Sequence, residues 1–463
     1  MRFTARDLAS VQHREFLNRD RLAATPVTGV STDTRTITAG SLFVALRGER
    51  FDGRAFLAEA FAKGAVGAIT DAGVDPQCFP GAVFLIVDDP LQALGELASL
   101  HRARFSIPVL AIGGSNGKTT TKEMVAAVLR TRYRVLSTQG NLNNQIGVPH
   151  TLFGLTGRHN LAVLELGTNH PGEIASLCGI VRPTHALITN IGSEHLEFFG
   201  SLDGVAREEG ALFDAIAQTP AGIAIVNADD RRVTHLAGGI RRRVTYGFIA
   251  RGVRVHGRTL RLDGDGNARF NLLRTGSRKP VPVGLSFPGR HNAENALAAA
   301  AAGVAFGVPL THIAQVLRDF RPVSRRMETL VLGGVTVLND SYNANPDSMA
   351  AALAALAGVR TGGKRIAVLA DMKELGAASA EAHRRLGQEV TKAGIDCLLT
   401  YGEQARLIHE RAKVEFAVHY DQKNVLAEYL AELVTAGDVV LVKGSRGMAM
   451  EDVVVFLRQR RSE

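Results

Sequence analysis

Residues 107–129, IPVLAIGGSNGKTTTKEMVAAVL, bring together the residue types that phosphate chemistry needs. An apolar run from Ile107 to Ile112 is followed by Gly113, Gly114, Ser115, Asn116, Gly117, Lys118, Thr119 and Thr120. Apolar residues at helical spacing come next, at Met124, Val125, Val128 and Leu129. A run that short, ended by two glycines, predicts a buried strand leading through a loop into a helix. Glycines let loop amides converge on phosphate oxygens, the helix N-terminus adds partial positive charge, and Lys118 is a mobile cation. Thr119 offers its hydroxyl to a Mg²⁺ ion. The Walker A spacing asks for a glycine five positions before Gly117, where this chain has Ile112; the nearest glycine is Gly113. A plain glycine turn would not need Lys-Thr-Thr-Thr, so the stretch is read as a shortened nucleotide loop.

Two further strand ends supply groups suited to the same chemistry. LELGTNHPGE places Glu165 in an apolar run, where a carboxylate is costly without a cation partner. A Mg²⁺ beside a nucleotide would satisfy it, as would a salt bridge at the strand end. ITNIGSEHLEFFGS then sets Asn190, Glu194 and His195 close behind a third strand. Ligands gather at strand ends in open parallel sheets, which sets a functional reading of this histidine level with an ordinary hydrogen-bonded one.

The elements that must position these groups follow from pattern. Residues 1–106 read as a first domain, with a strand from Ser41 after a Gly40 turn. The run FLIVDD (84–89) imitates an acid-ended Walker B strand, but Asp88-Asp89-Pro90 suits a turn into the helix after it. From 107 to 322, strands at Val109–Ile112, Leu161–Leu166, Ala186–Thr189 and Ile223–Val226 alternate with helices, the mark of a parallel sheet. Residues 244–287 read as antiparallel hairpins on its edge. In 323–463 a hairpin about Gly333-Gly334 precedes four strand–helix pairs, a doubly wound unit without G-x-G-x-x-G.

Composition excludes several classes. At 463 residues the chain is too long for one ordinary core, and 46% hydrophobic residues without low-complexity runs indicate a folded protein. The formal charge of +9 admits nucleic acid, an acidic surface or a polyanionic small substrate. The densest basic runs, Arg241 to Arg243 and Arg458 to Arg461, lack interleaved aromatics, and the chain has no Trp, so base stacking is poorly supplied. No nucleic-acid partner is expected. Cys78, Cys178 and Cys397 lack metal-ligand spacing and read as buried small hydrophobes in a reducing compartment. The N-terminus has no apolar signal region, and the run Ala296 to Val308 is alanine-rich with two glycines, a packed helix rather than a membrane span. A cytoplasmic monomer without membrane insertion is expected.

GGSNGKTT (113–120), LNNQIGVP (142–149), LELGTNHPGEI (164–174), ITNIGSEHLEFFGS (188–201), NADD (227–230) and PGRHNAENALAA (288–299) stand in the order found in Mur ligases. So do DSYNANPDSM (340–349), LADMKELG (369–376) and VKGSR (442–446). The chain therefore resembles that family, whose enzymes build the peptide stem of cell-wall precursors. The resemblance spans nearly the whole chain. It implies an α/β protein of three domains: a UDP-substrate domain (1–106), a central P-loop ATPase-like domain (107–322) and a Rossmann-like C-terminal domain (323–463). NLNNQIGVP, DSYNANP and DMKELG are most similar to members that join D-alanyl-D-alanine to UDP-N-acetylmuramoyl-tripeptide, and no DNPR motif of the diaminopimelate- or lysine-adding members is present.

The resemblance implies ATP and Mg²⁺ as cofactors and an acyl-phosphate intermediate. Position by position, Lys118 would grip the β/γ-phosphates, Thr119 and Glu165 would hold one Mg²⁺, and His195 would help hold a second. Asn292 and Asn295 resemble adenine contacts, and Arg326 the phosphate-side arginine. Asp340, Tyr342, Asn343 and Asn345 would face ATP and the incoming dipeptide from the third domain, so closure of that domain is expected. Ser31, Asp33 and Arg35 resemble the UDP-recognition loop, and Asn143 and Asn144 lie toward the UDP-sugar. The family carries a carbamylated lysine after the histidine motif; VAREEGALF (205–213) puts Glu209 there instead. Glu209 is expected to supply the negative charge to the second metal directly, the alternative being a solvated helix residue. Outside this family, a folylpolyglutamate synthase-type ligase, a non-catalytic ATP-binding scaffold and a nucleic-acid-dependent ATPase share parts of the pattern.

Overall fold

The computed structural model describes residues 1–463 except 24, 49, 50, 278 and 463, with the side chain of 462 also left out. The chain divides into two compact units. The first holds Met1–Ala111, Tyr133–Thr168 and Gly172–His185; the second holds Ile112–Arg132, Asn169–Pro171 and Ala186–Glu463.

In the first unit a five-stranded sheet runs in the order Glu15–Leu17, Val83–Ile86, Gly67–Thr70, Ser41–Val44, Gly29–Ser31. All its neighbours are parallel except the first pair. Phe43, Phe84, Ala68 and Leu57 close one face of it. The FLIVDD run ends as a turn: Asp89 accepts from the Leu91 amide at 2.8 Å and caps the helix Pro90–Ala103, while Asp88 pairs with Arg14. Carboxylates capping a helix start are stabilising by about 1 kcal/mol, which accounts for the acid without a metal.

In the second unit the strands Val281–Pro288, Asn267–Arg274, Val255–Leu262, Arg243–Gly247 and Ile223–Asn227 are neighbours in that order. The hairpin reading holds for Val255–Leu262, Asn267–Arg274 and Val281–Pro288, which are antiparallel. Arg243–Gly247 differs, pairing in parallel with both of its neighbours. The cause lies after Gly247, where Asp229 accepts from the amides of Phe248, Ile249 and Ala250 and holds the chain in a loop before it returns in the same direction.

The helix Lys118–Arg130 forms as its spacing predicts, with Met124, Val125, Val128 and Leu129 fully buried. Each such burial stabilises by about 1.5–3 kcal/mol. It packs on the helix Arg290–Ala305, whose alanines allow close approach; a Cβ on Gly303 would lie 2.8 Å from Val128. The C-terminal sheet runs Glu328–Leu332, Val335–Asn339, Val439–Lys443, Arg365–Ala370, Cys397–Tyr401, Phe416–Tyr420. Its first pair is the expected antiparallel hairpin and the rest are parallel. Cys178 and Cys397 are buried as expected, but Cys78 is exposed, on a short turn capped by Asp75. No helix among the described residues is long and apolar enough to cross a membrane.

Candidate active site

The strand Val109–Gly113 is fully buried and delivers the glycine loop at its carboxyl end. Gly114 (φ 110°) and Gly117 (φ 76°) adopt backbone angles open to glycine. A Cβ on Gly114 would also lie 2.7 Å from the Thr189 nitrogen, and one on Gly117 would strike the Asn295 amide. The loop is clasped by the segment after the strand ending at Ile188. Ser115 N donates to Asn190 O at 2.9 Å, Asn116 N donates to Asn190 Oδ1 at 3.0 Å, and Gly192 N donates to Ser115 Oγ at 2.8 Å. NADD supports the clasp, since Asn227 donates to Thr189 O and Asp230 accepts from Ile191 N.

Two carboxylates converge on Lys118. Its Nζ lies 3.0 Å from Glu194 Oε2 and 3.9 Å from Glu209 Oε1. Glu209 Oε2 accepts from the Gly114 amide at 2.6 Å. The Glu209 side chain is 0% exposed, so the alternative of a solvated helix residue is overturned. Burial pushes its carboxyl up to about 8; Lys118 opposes that shift and the neighbouring Glu194 adds to it. Glu194 had no assigned role in the sequence, although an acid immediately before His195 at a strand end was the available signal.

The C-terminal part of this unit meets the loop directly. Asn345 caps the helix Pro346–Gly358 through Ser348 and also donates to Asn116 Oδ1 at 2.9 Å. Asp347 accepts from Ser193 N at 2.6 Å. Glu374 lies 2.5 Å from His195 Nδ1, and its backbone carbonyl accepts from Glu197 N. His195 (φ 46°) and Glu374 (φ 63°) both hold the left-handed backbone region. Behind them Asp340 accepts from Met327 N at 3.0 Å and pairs with the buried Lys443 at 2.6 Å. Arg326 stacks on Tyr342 at 4.0 Å, with Arg446 over the same ring at 5.4 Å. Asn343 Oδ1 accepts from Arg446 N. Lys443 and Arg446 stand in the VKGSR motif but carried no role in the sequence reading.

The structure therefore brings Lys118, Asn116, Glu209 and Asn345 together, and His195 with Glu374. The amides of Asn292 and Asn295 are engaged within the protein. Asn292 donates to Pro288 O at 2.7 Å, Asn295 donates to Asn292 Oδ1, and Thr121 donates to Asn295 Oδ1 at 3.2 Å.

In the first unit, Asp33 holds Arg35 in a bidentate pair, with Nη2 to Oδ2 at 2.7 Å. That pairing, with the Arg35 amide, pulls the Asp33 carboxyl down to about 2. Ser31 Oγ donates to Asp33 O. Separately, Asn143 Nδ2 donates to Glu165 Oε1 at 2.8 Å, and the Glu165 side chain is buried. Asn144 Oδ1 accepts from Ile146 N and Gly147 N, starting the helix Gly147–Phe153.

Comparison with known proteins matches three consecutive segments to one family. Residues 26–102 match the Mur ligase family catalytic domain, 112–303 the Mur ligase middle domain and 325–446 the Mur ligase glutamate ligase domain. Over 436 residues the chain is 41% identical to the UDP-N-acetylmuramoyl-tripeptide–D-alanyl-D-alanine ligase of Escherichia coli, covering 93% of each chain. It is 34% identical to the Bacillus subtilis enzyme of the same name, again over 93% of each. The crystal structure of MurF from Acinetobacter baumannii superposes with a TM-score of 0.90 at 32% identity, covering 99% of both chains. That of the Thermotoga maritima MurF ligase in complex with ADP gives 0.84 at 28% identity, covering 94% of this chain and 98% of that one. With three domains matched in order and relatives aligned along almost its full length, the chain belongs to the Mur ligase family.

Proposed function

We propose that the chain is an ATP-dependent ligase that joins D-alanyl-D-alanine to UDP-N-acetylmuramoyl-tripeptide, yielding the pentapeptide precursor, ADP and phosphate. The observation that carries this reading is the glycine loop with Lys118, met by Asn345 from the C-terminal part of the same unit, while Asp347 holds Ser193 of the segment that clasps the loop. The 41% identity to a ligase of that name supports the choice of substrates. A carboxylate is a poor electrophile, so its oxygen first takes the γ-phosphoryl group of ATP. The dipeptide amine then attacks the acyl carbon, and phosphate leaves from the tetrahedral intermediate. Both steps gather anions, so cations and amide dipoles are the groups that lower the barrier.

In this reading Lys118 leaves Glu194 to hold the β/γ-phosphates, and the N-terminus of the helix Lys118–Arg130 orients them. Asn292 and Asn295 line the adenine side. Arg326 stands on the phosphate side, and Asp340, Tyr342 and Asn343 shape the wall toward ATP and the dipeptide. Ser31, Asp33 and Arg35, with Asn143 and Asn144, serve the UDP-sugar. The donor set fits Mg²⁺: Glu194 Oε1 is buried without a hydrogen-bond partner beside Lys118. No group of three or more acidic, His or Cys side chains converges among the described residues, as suits an ion that takes most of its ligands from phosphates and water. Thr119, Glu165 and His195 are the residues proposed to hold it; when bound, the ion neutralises charge on the transferring phosphoryl group. A soluble monomer acting in the cytoplasm completes the proposal.

The test is phosphate release by purified protein given ATP, Mg²⁺ and UDP-N-acetylmuramoyl-tripeptide. Release that needs D-alanyl-D-alanine is the expected result. Release driven equally by single amino acids, or by polynucleotide alone, would overturn it.

A further inference from the structure

We infer that Glu209 is a positioning residue that braces the phosphate loop from beneath, and that it does not ligate Mg²⁺. Three observations carry this. Its Oε2 accepts from the Gly114 amide at 2.6 Å, so one carboxylate oxygen is committed to the loop backbone. A Cβ on Gly113 would lie 2.5 Å from the same oxygen, so the carboxylate fills the space that the missing side chain leaves. Finally, the side chain is 0% exposed, against 6% for Glu194 and 15% for Lys118. Mg²⁺ sheds its waters reluctantly and usually keeps several. Glu209 Oε1 is buried without a hydrogen-bond partner, as Glu194 Oε1 is, but its side chain keeps no exposed surface at which a hydrated ion could sit.

The remaining oxygen, Oε1, faces Lys118 at 3.9 Å. One side chain thus sets two parts of the loop at once. It pins the Gly113–Gly114 peptide through a hydrogen bond and stands beside the ammonium of Lys118 on the inner side of the loop. Glu194 makes the shorter contact to Lys118 from the more open side, so an arriving phosphate displaces Glu194 and leaves Glu209 in place. The loop reaches the nucleotide already shaped, which is where a buried brace contributes to affinity.

The experiment separates the brace from a metal ligand by measuring nucleotide binding without metal. Full-length wild type, Glu209→Ala and Glu209→Gln are titrated with ADP in EDTA by calorimetry. The Mg²⁺ concentration for half-maximal phosphate release is measured beside it. Loss of the acceptor in Glu209→Ala is expected to weaken metal-free ADP binding about tenfold, the scale of a buried hydrogen bond. The KM for ATP should rise in step while the KM for D-alanyl-D-alanine holds. Glu209→Gln keeps an acceptor oxygen and the volume, so it should bind metal-free ADP within about threefold of wild type with the same half-saturating Mg²⁺. Unaltered metal-free binding in Glu209→Ala would overturn the brace. So would a half-saturating Mg²⁺ raised about tenfold in Glu209→Gln, the mark of a lost ligand. Should Glu209→Ala fail to fold, the Mg²⁺ dependence of Glu209→Gln decides alone. The phosphate-release arm rests on the ligase reading, whereas the ADP arm does not; a wild type that binds ADP but releases no phosphate with the dipeptide would count against the former only.

Discussion

The loop Ser31–Arg35 and the phosphate loop Gly113–Thr120 both carry polar residues proposed to meet anions, but they are held in different ways. In the first, the side-chain bonds of Ser31, Asp33 and Arg35 join residues two or three apart, with longer reaches from Thr32 to His150 and from Lys63 to the Thr34 carbonyl, and Arg35 is largely exposed. In the second, Lys118 meets Glu194 across 76 residues, Gly114 meets Glu209 across 95, and Asn116 meets Asn345 across 229. The short-range bonds of Ser31, Asp33 and Arg35 depend little on the rest of the chain. A loop wired at long range is shaped only when the surrounding elements have assembled, so its chemistry can be coupled to their movement. That difference suits a place that recognises a substrate and a place that must be completed before reaction.

Substitutions can break the contrast. Lys118→Ala should lower phosphate release by on the order of 10²–10³ or more, as removal of a charged phosphate contact does, while UDP-sugar binding survives. Loss of both activities together would show that the two loops are not independent. Asn345→Ala and Asp347→Ala each remove a hydrogen bond to the central part of the second unit, and each should lower kcat about tenfold, with ADP affinity nearly unchanged. An equal loss of ADP affinity would mean that these residues shape the loop at rest rather than completing it. Arg35→Ala should raise the KM for the UDP-sugar tripeptide by about tenfold with no effect on the KM for ATP and little on the melting temperature, since the pair it leaves is exposed.

Smaller effects follow from titration. Glu209 has its carboxyl raised from 4.5 to about 8, so its contribution to stability is complete below 4.5 and is lost as pH rises through about 8. The melting temperature of wild type should therefore fall between about pH 4.5 and pH 8 more than that of Glu209→Gln, and level off above. Glu374 has the opposite sign. The hydrogen bond from His195 holds its carboxyl below the ordinary 4.5, so its contribution is present above that value and fades as pH falls through the lowered one. Because the carboxylate is about half exposed, with a side-chain accessibility of 47%, only a slight flattening of the acid limb is expected in Glu374→Gln.

Much of the frame was legible before any coordinates. Short apolar runs ended by glycine became the strands Val109–Gly113, Leu161–Glu165 and Ile223–Asn227, and the alanine-rich stretch became the buried helix Arg290–Ala305. These follow from periodicity and backbone sterics, which act within a few residues. Cys78 and the strand Arg243–Gly247 were misread for want of the same locality: burial and strand direction depend on what packs alongside, and neither is written in the neighbouring residues.

The sequence by itself determined the glycine loop, the lysine within it, and the order of motifs that marks the family. Gly114 and Gly117 are needed there for their own backbone angles, a requirement each residue states alone. Only the tertiary structure decided which acid stands next to that lysine. Glu194 and Glu209 are two of 45 acidic residues, and nothing in their neighbours says that one is open to an arriving phosphate and the other sealed beneath the loop. Desolvation decides that difference, and desolvation is a property of the assembled surroundings rather than of the residue.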